Sequence, residues 1–314
     1  MRLATTATGN EDCAMKNSYK VQAEPAHSKT FDSSVRQLEF EFLRQTPTFK
    51  EMFRPCIDLH EGKVKQIVGG TLESEAVKLR TNFVADHPAS WFAELYKRDA
   101  LKGGHVIMLG PDNEEEARSA LNAYPHGLQL GGGVNLDNAR DWLDAGASHV
   151  IVTSWLFQGA NLDWARLKSL VAHIGREHLV LDLSCRRRGD DYFVVTDRWQ
   201  TFTGMRITGE DLEKLGNCCA EFLVHAVDVE GLCLGIDENL VRKLGDWSPI
   251  PCTYAGGANS PRDLERVTLS GHGRIDLTIG SALDIFGGSG VRYEDAVAFN
   301  RKQVSHATRE QLRK

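Results

Sequence analysis

The sequence Ile57-Asp58-Leu59 recurs as Leu181-Asp182-Leu183, 124 residues further along the chain. The sequence Gly132-Gly133-Val134-Asn135 recurs as Gly256-Gly257-Ala258-Asn259 at the same offset, since 182 − 58 and 256 − 132 both give 124. Two matches at one offset, each at an equivalent point of a strand–helix unit, indicate an internal repeat. The chain is therefore predicted to consist of two similar halves in tandem.

Short apolar runs alternate with amphipathic helical patterns from residue 53 onward. Such runs are typical of parallel strands that are buried on both faces. Asn135, Asn161 and Ser260 are expected to cap three of the helices, with Pro261 at the first helical position. The predicted strands lie at 54–59, 105–109, 128–131, 149–153, 179–183, 222–228, 251–254 and 276–279. The predicted helices lie at 88–99, 114–124, 136–145, 162–173, 210–215, 238–246, 261–269 and 293–302.

Eight strand–helix units in about 250 residues match the size of a closed (β/α)8 barrel, or TIM barrel. The alternative is an open, doubly wound α/β sheet, which also alternates strands and helices. No strand is followed by the glycine pattern G-x-G-x-x-G of that fold, so the barrel is favoured. We expect a non-barrel extension at 1–50, a catalytic barrel at 51–305 and a C-terminal tail at 306–314.

The composition excludes several classes of protein. The net charge of −6 gives no reason to expect a nucleic-acid partner, which favours basic proteins. No apolar run approaches the ~18 residues of a membrane span. The seven cysteines are odd in number and form no C-x-x-C pair, which argues against a disulfide framework and a zinc knuckle. The eleven histidines are scattered without metal-ligand spacing, so no metal is expected.

Residues 1–50 are rich in serine and threonine and have little apolar periodicity. An organelle transit peptide is one reading, but Glu11, Asp12, Glu24 and Asp32 argue against it because such peptides are poor in acids. The favoured reading is an arm or extra surface segment. We therefore expect a monomeric cytoplasmic protein, with the plastid stroma as the alternative if a transit peptide is present.

Asp58 and Asp182 lie late in the first and fifth predicted strands, near the end of a barrel where active sites are found. A single aspartate there is as often structural as functional. Two that face each other across the barrel mouth suit a general base and a general acid. The residues alone leave open which is which.

Glycine-rich turns follow the third and seventh predicted strands, at Gly132-Gly133 and Gly256-Gly257. Glycines there let the backbone approach an anion closely and direct N–H groups towards it. Thr153-Ser154 and Gly280-Ser281 end the fourth and eighth strands and are able to donate to phosphate oxygens. The simpler interpretation is a pair of tight turns, but their symmetry favours a small-molecule ligand with a phosphate at each end.

Three further side chains are candidates for the site. Trp199 follows an apparent hairpin and either stacks on a substrate ring or anchors the hairpin. His225 and Asp228, from the sixth strand, could line the mouth. Other chemistries are less favoured, because the strand ends offer no lysine for a Schiff base and no G-x-S-x-G elbow is present.

Several stretches resemble the phosphoribosylformimino-5-aminoimidazole carboxamide ribotide isomerases of histidine biosynthesis, in their eukaryotic, plant- and fungal-like form. The longest begins Cys56-Ile57-Asp58-Leu59-His60-Glu61-Gly62-Lys63-Val64 and runs to residue 72. The others lie at 129–133, 152–157, 182–186, 225–232, 254–257 and 280–288. The resemblance spans about residues 53–303 and leaves the first ~50 residues without a match.

The resemblance implies a cofactor-free Amadori rearrangement of a bisphosphorylated aminoaldose to an aminoketose. In this family pattern, Asp182 protonates the ribose ring oxygen and helps to open the ring to a Schiff base. Asp58 then takes the proton from the sugar C2 position. Trp199 matches the loop aromatic that stacks on the substrate.

Two stretches depart from the bacterial pattern of this family. The second strand ends in Leu109-Gly110-Pro111-Asp112, where an Asp-Leu-Asp run is usual, and Asp228-Val229-Glu230-Gly231 lacks an aspartate before the glycine. The nearest rival is the sister cyclase of the same pathway, which usually has Val-Lys where Leu59-His60 stands here. More distant rivals are the tryptophan-pathway isomerase, with its one-phosphate substrate, and a barrel that binds a sugar phosphate without catalysis.

Overall fold

The computed structural model of the chain describes residues 53–68, 81–197 and 199–311, with side chains as far as residue 303. The predicted extension at 1–50 and residues 312–314 of the predicted tail lie outside the described residues. The described residues contain no helix long and apolar enough to cross a membrane.

The strands follow one another in the order that the sequence predicts, with short extra strands between them. In chain order they are β1 (Phe53–Arg54), β2 (Cys56–His60), β3 (Lys63–Ile67), β4 (Thr81–Val84), β5 (Gly104–Met108), β6 (Leu128–Gly131), β7 (His149–Val152), β8 (Phe157–Gln158), β9 (Asn161–Leu162), β10 (Leu179–Asp182), β11 (Cys185–Arg188), β12 (Asp191–Thr196), β13 (Thr201–Arg206), β14 (Glu221–His225), β15 (Cys252–Ala255) and β16 (Ile275–Thr278).

The α-helices alternate with these strands and supply the outer layer. They are α1 (Ala89–Arg98), α2 (Glu114–Ala123), α3 (Ala139–Asp144), α4 (Trp164–Ile174), α5 (Gly209–Gly216), α6 (Glu238–Trp247), α7 (Arg262–Ser270) and α8 (Tyr293–Gln311).

Parallel pairing closes the principal sheet into a (β/α)8 barrel, which confirms the predicted fold. β1 and β2 are two parts of one barrel strand, interrupted at Pro55, which has no N–H to donate. β1 pairs with the last strand, Phe53 opposite Leu277, whereas β2 pairs with the next strand, Cys56 opposite His105. The remaining order is β5, β6, β7, β10, β14, β15 and β16.

Some predicted boundaries are wrong for local reasons. The strand predicted at 222–228 ends at His225, because Ala226 accepts a turn hydrogen bond from Val229 N at 3.0 Å. The helix predicted at 136–145 begins at Ala139, after turns in which the Asn135 side chain accepts from the amide of Asp137.

Three other predicted helix ends also differ from the structure. Asp163 rather than Asn161 caps α4, because its carboxylate accepts from two amides of the first turn. Pro261 precedes α7 with helical dihedral angles, and Asp263 accepts from the amide of Ser260 at 3.0 Å. The last helix, predicted at 293–302, continues to Gln311.

Two apolar layers and one polar layer stabilise the barrel. The larger core lies between strands and helices and includes Phe53, Phe92 and Tyr96. A small cluster of Ile107, Ile151, Val180 and Leu223 fills the barrel interior.

The polar layer lies at the start of the strands, where Arg54 donates to Asp276 at 2.6 Å. Glu221 lies 3.8 Å from Arg54 and accepts from Gln129 and Thr253, so its carboxylate has partners on three strands. These buried polar groups are therefore matched with one another at the base of the barrel.

The barrel seam provides a stability test. The Asn300 side chain on α8 accepts from Phe53 N at 2.8 Å and donates to Phe53 O at 3.0 Å, both buried. We expect Asn300→Leu to lower the free energy of unfolding by about 2–4 kcal/mol, because it leaves two buried backbone groups unpaired. Urea denaturation measures this loss. Asn217→Leu, which removes an exposed side-chain bond to Glu213 O, is the matched control and should change stability by less than about 0.5 kcal/mol. Equal effects of the two variants would show that the seam bonds contribute little.

Candidate active site

Three side chains converge at the carboxyl ends of the barrel strands. Asp58 is the third residue of β2, Asp182 ends β10 and His225 ends β14. His225 Nδ1 lies 3.5 Å from Asp182 Oδ1, and the charge of His225 also acts on Asp58. The structure thus places the two predicted aspartates around one imidazole at the barrel mouth.

Asp182 is held as an anion. Its Oδ1 accepts from the amide of Ser184 at 2.8 Å and from the Ser184 hydroxyl at 2.7 Å. Burial alone would raise the pKa of Asp182, but the positive charge of His225 and the hydrogen bonds from His225 and Ser184 hold it below its usual value. In the free protein this carboxylate is therefore ionised at neutral pH.

Two imidazoles at the mouth have opposite protonation states. Burial would lower the pKa of His225, but the charge and hydrogen bond of Asp182, with the charges of Glu230 and Asp58, raise it to about 9. The ring of His105 lies 5.7 Å from that of His225, and its pKa falls to about 3 through burial and the charge of His225. At neutral pH, His225 is a cation and His105 is neutral.

Asp58 has the opposite character to Asp182. Burial and the negative charge of Glu230 raise the pKa of Asp58 to about 7, against the opposing effects of His225 and a hydrogen bond from Gln66. Gln66 Nε2 donates to Asp58 Oδ2 at 3.1 Å, and His105 Nε2 lies 4.0 Å from Asp58 Oδ1. A carboxyl with such a pKa can both accept and release a proton near neutrality.

Glu230 and Thr278 belong to the site but were not among the predicted site residues. Among the described residues, neither Glu230 Oε2 nor the buried Thr278 Oγ1 has a hydrogen-bond partner. Burial raises the pKa of Glu230, and the charge of His225 and the Gly231 amide oppose this rise. Glu230 lies in the stretch 228–231, which departs from the bacterial pattern. That departure was the only feature of the sequence that pointed to Glu230 as a site residue.

One cavity at the mouth contains six of the predicted site residues. Asp58, His225, Gly256, Gly257, Gly280 and Ser281 line it together with Cys56, Gln66, His105, Glu230, Gly231, Cys233, Ala255, Ala258 and Thr278. Seven predicted residues lie outside this lining: Gly132, Gly133, Thr153, Ser154, Asp182, Trp199 and Asp228, although Asp182 contacts His225. The described cavity therefore covers the side of the mouth formed by the barrel strands β2, β5 and β14–β16.

The repeated glycine turns require positive φ angles in both halves of the barrel. Gly132 and Gly133 have φ of 93° and 72°, and Gly256 and Gly257 have φ of 122° and 77°, all in the region that side chains disfavour. A Cβ at Gly132 would lie 2.1 Å from Met108 O, so the backbones approach too closely for any side chain. These angles and close approaches are those of tight turns, and they are compatible with anion binding at the same turns.

The strand-end hydroxyls occupy different settings. Thr153 Oγ1 donates to the carbonyl of Asp182 at 3.0 Å, which joins β7 to the strand that carries the carboxylate. Ser154 is exposed, and its hydroxyl accepts from the amide of Asp197 at 3.4 Å. Ser281 Oγ lies 3.4 Å from Gln66 Oε1, within the cavity.

The hairpin of β11, β12 and β13 brings Trp199 towards the mouth. Its ring centroid lies 5.7 Å from that of His225, tilted by 40°, and its φ is 65°. Asp228 lies on the outer side, where it accepts from Arg186 Nε at 3.0 Å and from the amide of Arg187 at 2.8 Å. The carboxylate of Asp228 thus fixes the hairpin instead of lining the cavity.

The stretch 109–112, which also departs from the bacterial pattern, forms a turn. Asn113 joins this turn to the loop that follows β2. Asn113 donates to the carbonyls of Gly110 and Pro111, and its Oδ1 accepts from the amide of Gly62 at 3.0 Å.

Among the described residues, no group of three or more His, Cys, Asp or Glu could hold a metal ion. The six described cysteines are free thiols.

A closed barrel with ionisable side chains gathered at the carboxyl ends of its strands defines the class of (β/α)8-barrel enzymes. The sequence model of the family described as "Histidine biosynthesis protein" matches residues 52–288. The chain belongs to this family.

Relatives similar to the chain carry one enzyme name, 1-(5-phosphoribosyl)-5-((5-phosphoribosylamino)methylideneamino)imidazole-4-carboxamide isomerase. The protein of Neurospora crassa is 53% identical over 254 residues, which cover 80% of this chain and 99% of that protein. The chloroplastic protein of Medicago truncatula is 54% identical over 257 residues, 80% of this chain and 82% of that protein. The protein of Saccharomyces cerevisiae is 48% identical over 258 residues, 80% of this chain and 98% of that protein.

The imidazole between the carboxylates provides an electrostatic test. We expect Asp182→Asn to lower the pKa of His225 from about 9 by about 1 to 3 pH units, because it removes the charge and the hydrogen bond that raise that pKa most. Titration of the histidine ring resonances by NMR measures this change. Asp246→Asn, which removes the carboxylate next to the exposed His272, is the matched control and should leave His225 unchanged. A His225 titration that is the same in Asp182→Asn and the unmutated protein would contradict the pairing.

Proposed function

We propose that the chain catalyses the aldose–ketose isomerisation of the bisphosphorylated ribotide ProFAR to PRFAR, an Amadori rearrangement in L-histidine biosynthesis. The observation that carries the proposal is the position of Asp58 and Asp182 around His225 at the barrel mouth, in a chain whose relatives are named as this isomerase. The reaction moves protons only, so acid–base side chains suffice and no cofactor is required.

Asp58 acts as the general base in this proposal. After ring opening, the bond between C1 of the sugar and the nitrogen is a protonated Schiff base, which acidifies the C2 proton. Asp58 removes that proton, and the electron pair moves to form the C1–C2 double bond of an enol-amine. A proton added to C1 and the loss of the proton on the C2 hydroxyl then yield the aminoketose. Burial keeps the pKa of Asp58 near 7, which makes its carboxylate a stronger base than an exposed aspartate.

Asp182 acts as the general acid, together with His225. The Asp182 carboxylate is ionised in the free protein, so it needs a proton before it can protonate the ribose ring oxygen. The protonated imidazole of His225, 3.5 Å away, is the source that the geometry favours. The pair would then deliver one proton to the ring oxygen, and it would recover a proton from the medium before the next turnover.

One observation favours a second candidate for the acid. Glu230 lines the same cavity, its Oε2 has no partner among the described residues, and its pKa is raised. A carboxyl that retains its proton to higher pH is ready to donate without a relay. Glu230 therefore competes with Asp182 for this role.

The two phosphates are proposed to bind at the repeated turns. One site would use Gly132, Gly133, Thr153 and Ser154, and the other Gly256, Gly257, Gly280 and Ser281. Positive φ angles at the four turn glycines and the cavity beside the second set support this assignment. Trp199, already next to His225, would stack on the heteroaromatic ring between them.

The wider setting is also a proposal. We propose that residues 51–305 form the catalytic unit of a monomer that acts in the cytoplasm on this small-molecule substrate. The plastid stroma is the alternative, since the relative from Medicago truncatula is named as chloroplastic. Fractionation of cells that produce the full chain with a C-terminal tag would decide between the two compartments.

The base assignment predicts a pH dependence of catalysis. The base must be ionised, so kcat/KM should fall as the pH drops through about 7, the pKa of Asp58. Asp58→Asn should lower kcat by about 10²- to 10⁴-fold, because the general base is lost. Steady-state assays with ProFAR measure both effects, and Asp246→Asn on the surface should keep the activity of the unmutated protein. Absence of turnover by the unmutated protein would refute the proposed function.

The acid assignment is tested by a pair of variants. If Asp182 with His225 is the acid, Asp182→Asn should lower kcat by about 10²-fold or more, while Glu230→Gln should cost less than about 10-fold. The ring-opening rate, followed in single turnovers, should decline with kcat in Asp182→Asn. The reverse order of the two variants would assign the acid to Glu230.

A further inference from the structure

A chain of hydrogen bonds joins Asp58 to the turn after the last barrel strand. Gln66 Nε2 donates to Asp58 Oδ2 at 3.1 Å, and Gln66 Oε1 accepts from Ser281 Oγ at 3.4 Å. Ser281 Oγ in turn accepts from Asn82 Nδ2 at 3.2 Å, and the same Asn82 nitrogen donates to Gly231 O at 2.9 Å. Gln66 is thus the link between the proposed base and a residue of the proposed phosphate site.

The ionised form of Asp58 selects one orientation of the Gln66 amide. An ionised carboxylate accepts but cannot donate, so the amide nitrogen must face Asp58 and the amide oxygen must face Ser281. The side chain is buried, with its nitrogen also 3.7 Å from Cys56 Sγ. A Cβ at Gly280 would lie 2.4 Å from Gln66 Oε1, so the glycine leaves the room that the amide occupies.

We propose that Gln66 is a positioning residue of the active site: its amide orients Asp58 and couples it to Ser281. This inference rests on the proposed function for its kinetic consequence, but its structural content does not depend on the substrate. Gln66 itself makes no bond in the reaction; it acts through the carboxylate that it holds.

The same bond affects the charge state of Asp58. The Gln66 N–H stabilises the ionised form and so lowers the pKa of Asp58, against burial and Glu230, which raise it. Loss of the donor should therefore raise that pKa further. The titratable groups that interact with Asp58 are His105, His225, Glu230, Cys56 and Tyr96.

Two substitutions remove the donor in different ways. Gln66→Met has a similar length and no polar group, and Gln66→Glu has the same shape but replaces the amide nitrogen with oxygen. Both should raise the pKa of Asp58, read from its carboxyl carbon by NMR, with the larger rise in Gln66→Glu because it adds a like charge. The low-pH limb of kcat/KM should move upward by the same amount. The value of kcat should fall by up to about 10²-fold through misorientation of the base, with KM changed less than kcat.

The coupling to Ser281 is tested by a double-mutant cycle. Ser281→Ala alone should change the pKa of Asp58. Added to Gln66→Met it should not change that pKa further, because the hydrogen bonds that join Ser281 to Asp58 through Gln66 are already lost. Gln158→Met, which removes an exposed donor to Asp163, is the matched control and should leave Asp58 and kcat unchanged. Thermal unfolding of each variant identifies any that fail to fold, and the two Gln66 variants provide independent readings.

The outcomes separate the inference from the proposed function. If the unmutated protein fails to turn over ProFAR, the proposed function is refuted, and the NMR titration of Asp58 still decides the role of Gln66. An Asp58 pKa that is unchanged in both folded Gln66 variants would overturn the positioning role. An equal effect of Ser281→Ala in both backgrounds would overturn the coupling.

Discussion

The ion pair between His225 and Asp182 is the interaction on which the barrel mouth depends. Three partly buried carboxyl groups lie near this imidazole, and without a cation their mutual repulsion would favour protonation of them all. Among the described residues, Asp182 is the only one of these three carboxyl groups within ion-pair distance of His225, at 3.5 Å, so it remains ionised while the pKa values of Asp58 and Glu230 are raised. One cation thus creates two kinds of carboxyl group within a single cavity, which is the condition for acid–base chemistry at one pH.

Much of the fold could be predicted because its determinants repeat. Buried parallel strands require continuous apolar runs, and the 124-residue offset placed Asp58 and Asp182 on equivalent strands. Boundaries were less accurate, because they depend on single hydrogen bonds. The strand predicted to reach Asp228 ends at His225, where turn bonds replace ladder bonds. Asp163, and not the predicted Asn161, caps α4, because the Asp163 carboxylate accepts hydrogen bonds from two amides.

The site was predicted only as far as the two halves agree. The residue 124 positions after Gln66 is Asp190, in an exposed turn of the hairpin, and the residue 124 positions before Glu230 is Val106, in the core. Each of these side chains therefore has no counterpart in the other half, and an internal comparison cannot reveal it. Burial and Glu230 raise the pKa of Asp58, whereas His225 and Ser184 lower that of Asp182, so the repeat predicts the pair but not its division of labour.

The divided first strand also has a consequence for how the chain is made. Phe53 and Arg54 pair with residues 277 and 278, and Asn300 holds the backbone of Phe53. During translation, the start of the barrel therefore leaves the ribosome more than 200 residues before its final neighbour exists. Any sheet that forms before then has unpaired edges, and edges of this kind are prone to aggregation. The seam is thus where chaperones would have the most to protect.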